Sequence, residues 1–141
     1  MTTVLFRSRL ALVLVPFVSI AGCGGETAPL TPVKGKVSYH GSPLHTGMIV
    51  FSPDEAHGNS GPLARAEIQA DGTYVLQTGE QPGARPGFYR VTVVAVERTP
   101  TGQGYDVLRP LLPDKYRDPQ LSNLACEVKP GKENGFNFNL D

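Results

Sequence analysis

From position 33 onward the chain alternates between apolar and polar residues. Val33, Gly35, Val37 and Tyr39 fall on one side of a period-two pattern, and Lys34, Lys36, Ser38 and His40 fall on the other. That spacing predicts a strand with one face in a core. Gly41 to Gly47 supplies a turn, after which Ile49 and Phe51 continue the apolar face until Pro53 stops it. A looser strand follows through Ala64, Ala66 and Ile68, with Arg65, Glu67 and Gln69 toward water. Asp71-Gly72, two residues that tolerate positive φ, predicts a hairpin ahead of Thr73 to Thr78.

Pro86-Gly87 opens the longest β run, Phe88 to Glu97. Tyr89, Val91, Val93 and Ala95 face one way there, and Arg90, Thr92, Val94 and Val96 the other. Both rows are fairly apolar, which places this strand centrally, and its density of β-branched residues argues against a helix. A Pro- and Gly-bearing excursion runs from Arg98 to Pro119. Pairing resumes at Asn123 to Lys129, turns at Pro130-Gly131, and ends with Phe136, Phe138 and Leu140 inward and Asn137 and Asn139 outward. About seven short strands, punctuated by 16 Gly and 13 Pro and with no amphipathic helical window, predict an all-β fold, a seven-stranded antiparallel β-sandwich.

The first 22 residues have a different character. Arg7 and Arg9 precede an apolar run from Leu10 to Ile20 that Pro16 interrupts. It is short of the roughly 20 apolar residues needed to span a bilayer, and its basic start marks a cleaved signal peptide. Ile20-Ala21-Gly22-Cys23 resembles the bacterial lipobox, in which an aliphatic and two small residues precede the cysteine that becomes the lipidated N-terminus. The expected organisation is a lipoprotein signal peptide at 1–22, a flexible tether at 23–32 and one domain at 33–141. Two or more acyl chains on Cys23 anchor stably where a single chain binds only marginally. Gly24 after the cysteine, where Asp would signal inner-membrane retention, favours the outer membrane, facing the periplasm.

Loss of Arg7 and Arg9 leaves 11 basic against 13 acidic side chains, a balance with no nucleic-acid signature. Cys126 is the second of only two cysteines, so lipidation of Cys23 excludes a disulfide within the chain. Alternation groups Cys126 with Leu124 and Val128, the setting of a buried, inert thiol.

Several segments then point to a family: Val33-Lys34-Gly35-Lys36-Val37, Gly41-Ser42-Pro43-Leu44, Gly47 to Pro53, Ala70-Asp71-Gly72-Thr73-Tyr74, and Pro86 to Val93. Together they resemble carboxypeptidase regulatory-like domains of the transthyretin-like, or prealbumin-like, group. With the lipobox, Leu112-Pro113-Asp114-Lys115-Tyr116 and the closing Val128 to Leu140, nearly the whole chain is similar to small predicted lipoproteins of planctomycete bacteria. The resemblance implies a transthyretin-like or immunoglobulin-like sandwich that serves as an accessory module, without catalytic residues. Its recurring motifs also have plain folding roles: Pro86 fixes one φ and Gly87 frees the next, so that Tyr89 enters the core with its hydroxyl near a loop backbone.

Candidate chemistry is sparse. A zinc site needs His with Glu or a second His at fixed spacing, and His40, His45 and His57 stand in no such pattern. The Tyr-Arg-Gly-Ser ending of 5-hydroxyisourate hydrolases, a catalytic relative on the transthyretin fold, is replaced here by Phe136-Asn137-Phe138-Asn139-Leu140-Asp141. Gly58-Asn59-Ser60-Gly61 lacks the full nucleophile elbow, and Asp114 and Asp118 lack a calcium-loop spacing. No catalytic residue, metal ligand or cofactor is expected. Contacts with a partner are sought in the long connection, through Tyr105, Leu108, Leu111, Leu112 and Tyr116. Its plainer reading is a loop stapled by those residues over an open end of the sandwich. The expected function is therefore a membrane-anchored envelope lipoprotein whose sandwich binds or spaces an envelope protein. A small-ligand or carbohydrate-binding domain is the alternative, weakened by the absence of Trp, and a hydrolase with an unrecognised site ranks below it.

Overall fold

The computed structural model describes residues 28–141, so the expected leader, the residues Ile20, Ala21 and Gly22 of the expected lipobox, and Cys23 lie outside the described residues. What it describes is a β-sandwich of two facing sheets with a separate ribbon. The strands are β1 (Val33–Tyr39), β2 (Ser42–Pro43), β3 (Met48–Pro53), β4 (Ala64–Glu67), β5 (Thr73–Val75), β6 (Gln77–Thr78), β7 (Gln81–Pro82), β8 (Gly87–Val94), β9 (Val96–Pro100), β10 (Asp106–Pro110), β11 (Leu124–Val128) and β12 (Asn134–Leu140). One sheet has β1 between β12 on one side and β2 and β5 on the other; the second runs β11-β8-β3-β4-β6-β7; β9 and β10 form the ribbon.

The period-two faces expected from the sequence are the faces observed. Val33 and Val37 from the first sheet meet Ile49, Phe51, Ala64, Tyr89, Val91 and Val93 from the second, all essentially closed to solvent. Phe51 sits at the centre, its ring 5.9–6.2 Å from the rings of Tyr74, Tyr89, Phe136 and Phe138. Tilted aromatic contacts of this kind add roughly 0.5–1.5 kcal/mol each beyond area burial. As expected, β8 lies inside its sheet, between β11 and β3. The Tyr89 hydroxyl donates to the Arg85 carbonyl at 2.8 Å, the loop-backbone contact that Pro86-Gly87 makes possible.

Twelve strands replace the expected seven, for a physical reason in each case. The run Thr73 to Thr78 changes sheets at Leu76. β5 pairs with β1 and β6 with β4, while the fully buried Leu76 donates its N–H to Val33 at 2.9 Å and accepts from Gly83 at 2.8 Å. The run Phe88 to Glu97 likewise breaks at Ala95, where the chain leaves the sandwich for the ribbon. β2 and β7 are two-residue returns.

Most pairing is antiparallel, but β1 runs parallel to β12 over seven residue pairs, from Val33↔Asn134 to Tyr39↔Leu140. The approach is tight at Gly35, where an added Cβ would lie 1.8 Å from the Phe136 carbonyl oxygen. That oxygen accepts the Tyr74 hydroxyl at 2.7 Å. Burial holds the Tyr74 phenol far above the ordinary tyrosine range, which favours its protonated, donating form. Gly72, with φ of 84°, closes the β4–β5 hairpin, and Asp71 accepts from the Thr73 N–H and hydroxyl beside it. Strand-like pairing begins at Thr31, which exchanges backbone hydrogen bonds with Ala84 at 2.8 and 3.0 Å.

Candidate functional site

Strand register gives the sandwich two distinct ends. At one end lie Thr31 and its partner Ala84, with the start of β8 at Gly87 opposite Val128 and the start of β1 at Val33 opposite Asn134. At the other lie Tyr39 beside Leu140 and Met48 beside Val94. The N-terminal segment enters at the first end. The ribbon leaves from the second, because β8 runs its eight residues, about 26 Å, before the chain turns at Ala95.

The connection expected to be irregular is therefore structured. β9 extends to Pro100 and β10 returns from Asp106, paired from Asp106↔Pro100 to Pro110↔Val96. Nine of the ten ribbon residues are exposed and Val96 is half-buried. The ribbon thus projects from the sandwich and does not cover it. Its register puts Tyr105 and Val107 on one face with Thr99 and Thr101, and Leu108 on the other with Arg98. Tyr105, Val107 and Leu108 are 59%, 49% and 58% exposed.

The five residues expected to make partner contacts divide accordingly. Tyr105 and Leu108 stand on the ribbon facing solvent, from opposite faces. Leu111 is half-buried against the core, and Leu112 and Tyr116 are part of it. Tyr116 sits in a 3-10 turn, Asp114–Arg117, and its hydroxyl, 3.0 Å from the Asp141 backbone carbonyl and carboxylate oxygens, also accepts the Asp141 N–H. Lys115 lies over its ring at 4.8 Å. Stapling over the sandwich end and projection toward solvent are both present, in successive parts of one segment.

A second constellation, at Asp54, was not legible in the sequence. Asp54 follows the end of β3, and its carboxylate is only 7% exposed. It meets the His57 Nδ1 at 2.9 Å and the Arg90 Nε at 3.2 Å, and accepts the Ala56 N–H at 3.1 Å. The bond to His57 holds the acid below the ordinary carboxylate range; burial opposes this, and the Ala56 N–H and Arg90 reinforce it. The His57 ring stacks on Phe88, centroids 4.8 Å apart. Ser52 shares a cleft of about 230 Å³ with Asp54 and Arg90 and makes no hydrogen bond to His57. The cluster buckles the loop after β3 to the start of β8, where the Phe88 carbonyl accepts the Asp54 N–H and the Asn59 side-chain amide, each at 2.9 Å.

His40 and His45 are exposed, and among the described residues no three His, Cys, Asp or Glu side chains gather as a metal site. Cys126 is half-buried against the core, and burial pushes its thiol up to about 12, far from reactivity at neutral pH.

No protein-family model and no curated protein matches the chain. Among solved structures, the chain is similar to the dioxygenase domain of a dioxygenase and carbohydrate-binding protein fusion from the cellulolytic bacterium Streptomyces sp. SirexAA-E. The identity is 21%, the TM-score 0.36, and 83% of each chain is covered. The likeness is too distant to transfer an activity.

Proposed function

We propose that this protein is an exported, lipid-anchored β-sandwich of the carboxypeptidase regulatory-like kind, which holds a non-catalytic binding ribbon away from its membrane and docks a protein partner of the cell envelope there. The observation that carries the reading is the placement of the β9–β10 ribbon, exposed on both faces and leaving the end of the sandwich opposite the N-terminal segment. A two-stranded hairpin is at best marginally stable alone in water. Tyr105, Val107 and Leu108 do no packing work in the sandwich, and a partner surface gives these apolar side chains a role.

The anchor supports the same arrangement. From Cys23 to Thr31 the chain advances eight residues, which reach at most about 29 Å even when fully extended. The Thr31 end is then kept near the lipid surface while the ribbon points outward, toward a protein standing beyond the headgroups.

Two linked measurements test this. Intact mass of the membrane-extracted protein is expected to correspond to a chain starting at Cys23 plus acyl groups, with Cys23→Ser losing them. A photo-crosslinking residue at Leu108 is expected to trap an envelope protein, whereas the same residue at Lys132, at the tethered end, traps lipid. An unacylated soluble product sinks the anchoring, and equal protein capture from both positions sinks the ribbon as the contact.

A further inference from the structure

The β4–β5 hairpin is joined at two places and open between them. Gln69 N–H donates to the Thr73 carbonyl at 2.8 Å, and Arg65 bridges Gln77 in β6. The same register sets Glu67 opposite Val75, yet no ladder pair joins them. The cause is the sheet change at Leu76: Val75 is drawn to its register partner Lys34 on β1, and β5 peels away from β4. Hydrogen bonds of the flanking residues, Ile68 N–H to Gly47 and Leu76 N–H to Val33, point toward β3 and β1. By strand alternation the backbone groups of Glu67 and Val75 therefore face the opening, where the Glu67 carbonyl accepts the Gln69 side-chain amide at 3.5 Å.

Over this opening lies a groove of about 490 Å³, within the usual range for ligand sites. It is lined by the buried Ala66 and Tyr74, by the exposed residues of both strands and by Met48. Arg65 and Glu67 stand two residues apart on β4, about 6.8 Å along the strand. Among the described residues neither side chain makes an ion pair or hydrogen bond. Gln77 adds a side-chain amide, the Gln69 amide and the Thr73 hydroxyl being already bonded to the Glu67 carbonyl at 3.5 Å and the Asp71 carboxylate at 2.6 Å, and Val75 is 62% exposed.

We infer that this groove binds a short stretch of extended polypeptide carrying a carboxylate and a cationic side chain two residues apart. Its groups repeat at the spacing of a strand. The Arg65 guanidinium takes a carboxylate in two parallel hydrogen bonds, and Glu67 takes the cation one strand repeat further on. The Gln77 side-chain amide, the Glu67 N–H and the backbone groups of Val75 read peptide N–H and C=O. No aromatic platform is present for a sugar ring, since the Tyr74 ring is turned into the core. The inference depends on neither the anchor nor the ribbon.

The test uses the full-length protein in detergent and fluorescence anisotropy of a labelled, end-blocked peptide, Gly-Glu-Thr-Lys-Gly. Saturable binding is expected. Arg65→Glu should weaken it about tenfold, the equivalent of about 1.4 kcal/mol, and should raise affinity for Gly-Lys-Thr-Lys-Gly. Gln77→Glu, which sets a carboxylate across from Arg65 and occupies its guanidinium, should weaken the first peptide as well while leaving Arg65 in place. Absence of saturable binding by the unaltered protein up to millimolar peptide overturns the inference. So does an Arg65→Glu protein that binds both peptides as the unaltered one does.

Discussion

β8 and β9 are consecutive strands separated only by Ala95, and their environments could hardly differ more. Between β11 and β3, β8 buries Tyr89, Val91, Thr92 and Val93, leaving Phe88 and Val94 as its exposed positions. Beyond Ala95 the chain keeps strand geometry with one neighbour and no packed face. In β8, strand structure follows from one fully buried face and a paired strand on each side. In the ribbon it rests on one ladder of hydrogen bonds, an Arg98–Asp106 pair at 4.0 Å and the Thr101 hydroxyl bonded to the Tyr105 carbonyl at 2.7 Å. Packing therefore stabilises the sandwich and not the ribbon, and apolar residues in the two regions stand in different surroundings.

That division can be broken most severely at Phe51. Phe51→Ala removes the ring that four other aromatics surround, and a loss of about 3–5 kcal/mol in denaturant unfolding is expected. Next comes Gly35→Ala, whose methyl group must displace the β1–β12 contact; about 1–3 kcal/mol is expected from overpacking. Val37→Ala with Gly35 retained serves as the comparison, since it opens space without pushing β12 away.

Asp54 tests the boundary between packing and electrostatics. Its acidity is enhanced in the fold, so its contribution is present above the unfolded carboxylate value near 3.8 and is lost as pH falls through the lower folded value. The melting temperature should drop as the pH is lowered through that window, and Asp54→Asn should flatten the drop. An unchanged acid limb in the variant would show that the buckle at the β8 start adds no pH-dependent stability. The smallest effect is expected in the ribbon: Tyr105→Ser and Leu108→Ser should alter unfolding by no more than about 0.5 kcal/mol. A much larger loss there would mean that the ribbon packs on the sandwich after all, and would falsify the division.

The same contrast decides what could be read from sequence. Half-buried strands write their faces into the chain, so Val33/Val37, Ile49/Phe51 and Phe138/Leu140 were visible as inward rows. Alternation records a face, not a partner's direction, and the parallel seating of β1 on β12 left no trace in it. The ribbon was hidden for a related reason: Thr99, Pro100, Asp106 and Arg109 pack against nothing and keep no apolar period. Asp54 and Arg90 are distant in sequence and meet only because β3 and β8 pair with Ser52 beside Arg90. Arg65, Glu67 and Gln69 were legible as a water-facing row, but the groove they form depends on the sheet change at Leu76, which the unbroken pattern from Thr73 to Thr78 conceals.

The parallel seating of β1 also determines how the molecule bears force. A pull on the N-terminal segment, with the opposite end held, travels along β1 before it reaches any other strand. Its seven pairs with β12 lie side by side along that direction, so they are sheared together instead of being unzipped one after another. The first strand of the domain is thus its mechanical clamp, and the chain should yield at the ribbon before it yields at β1.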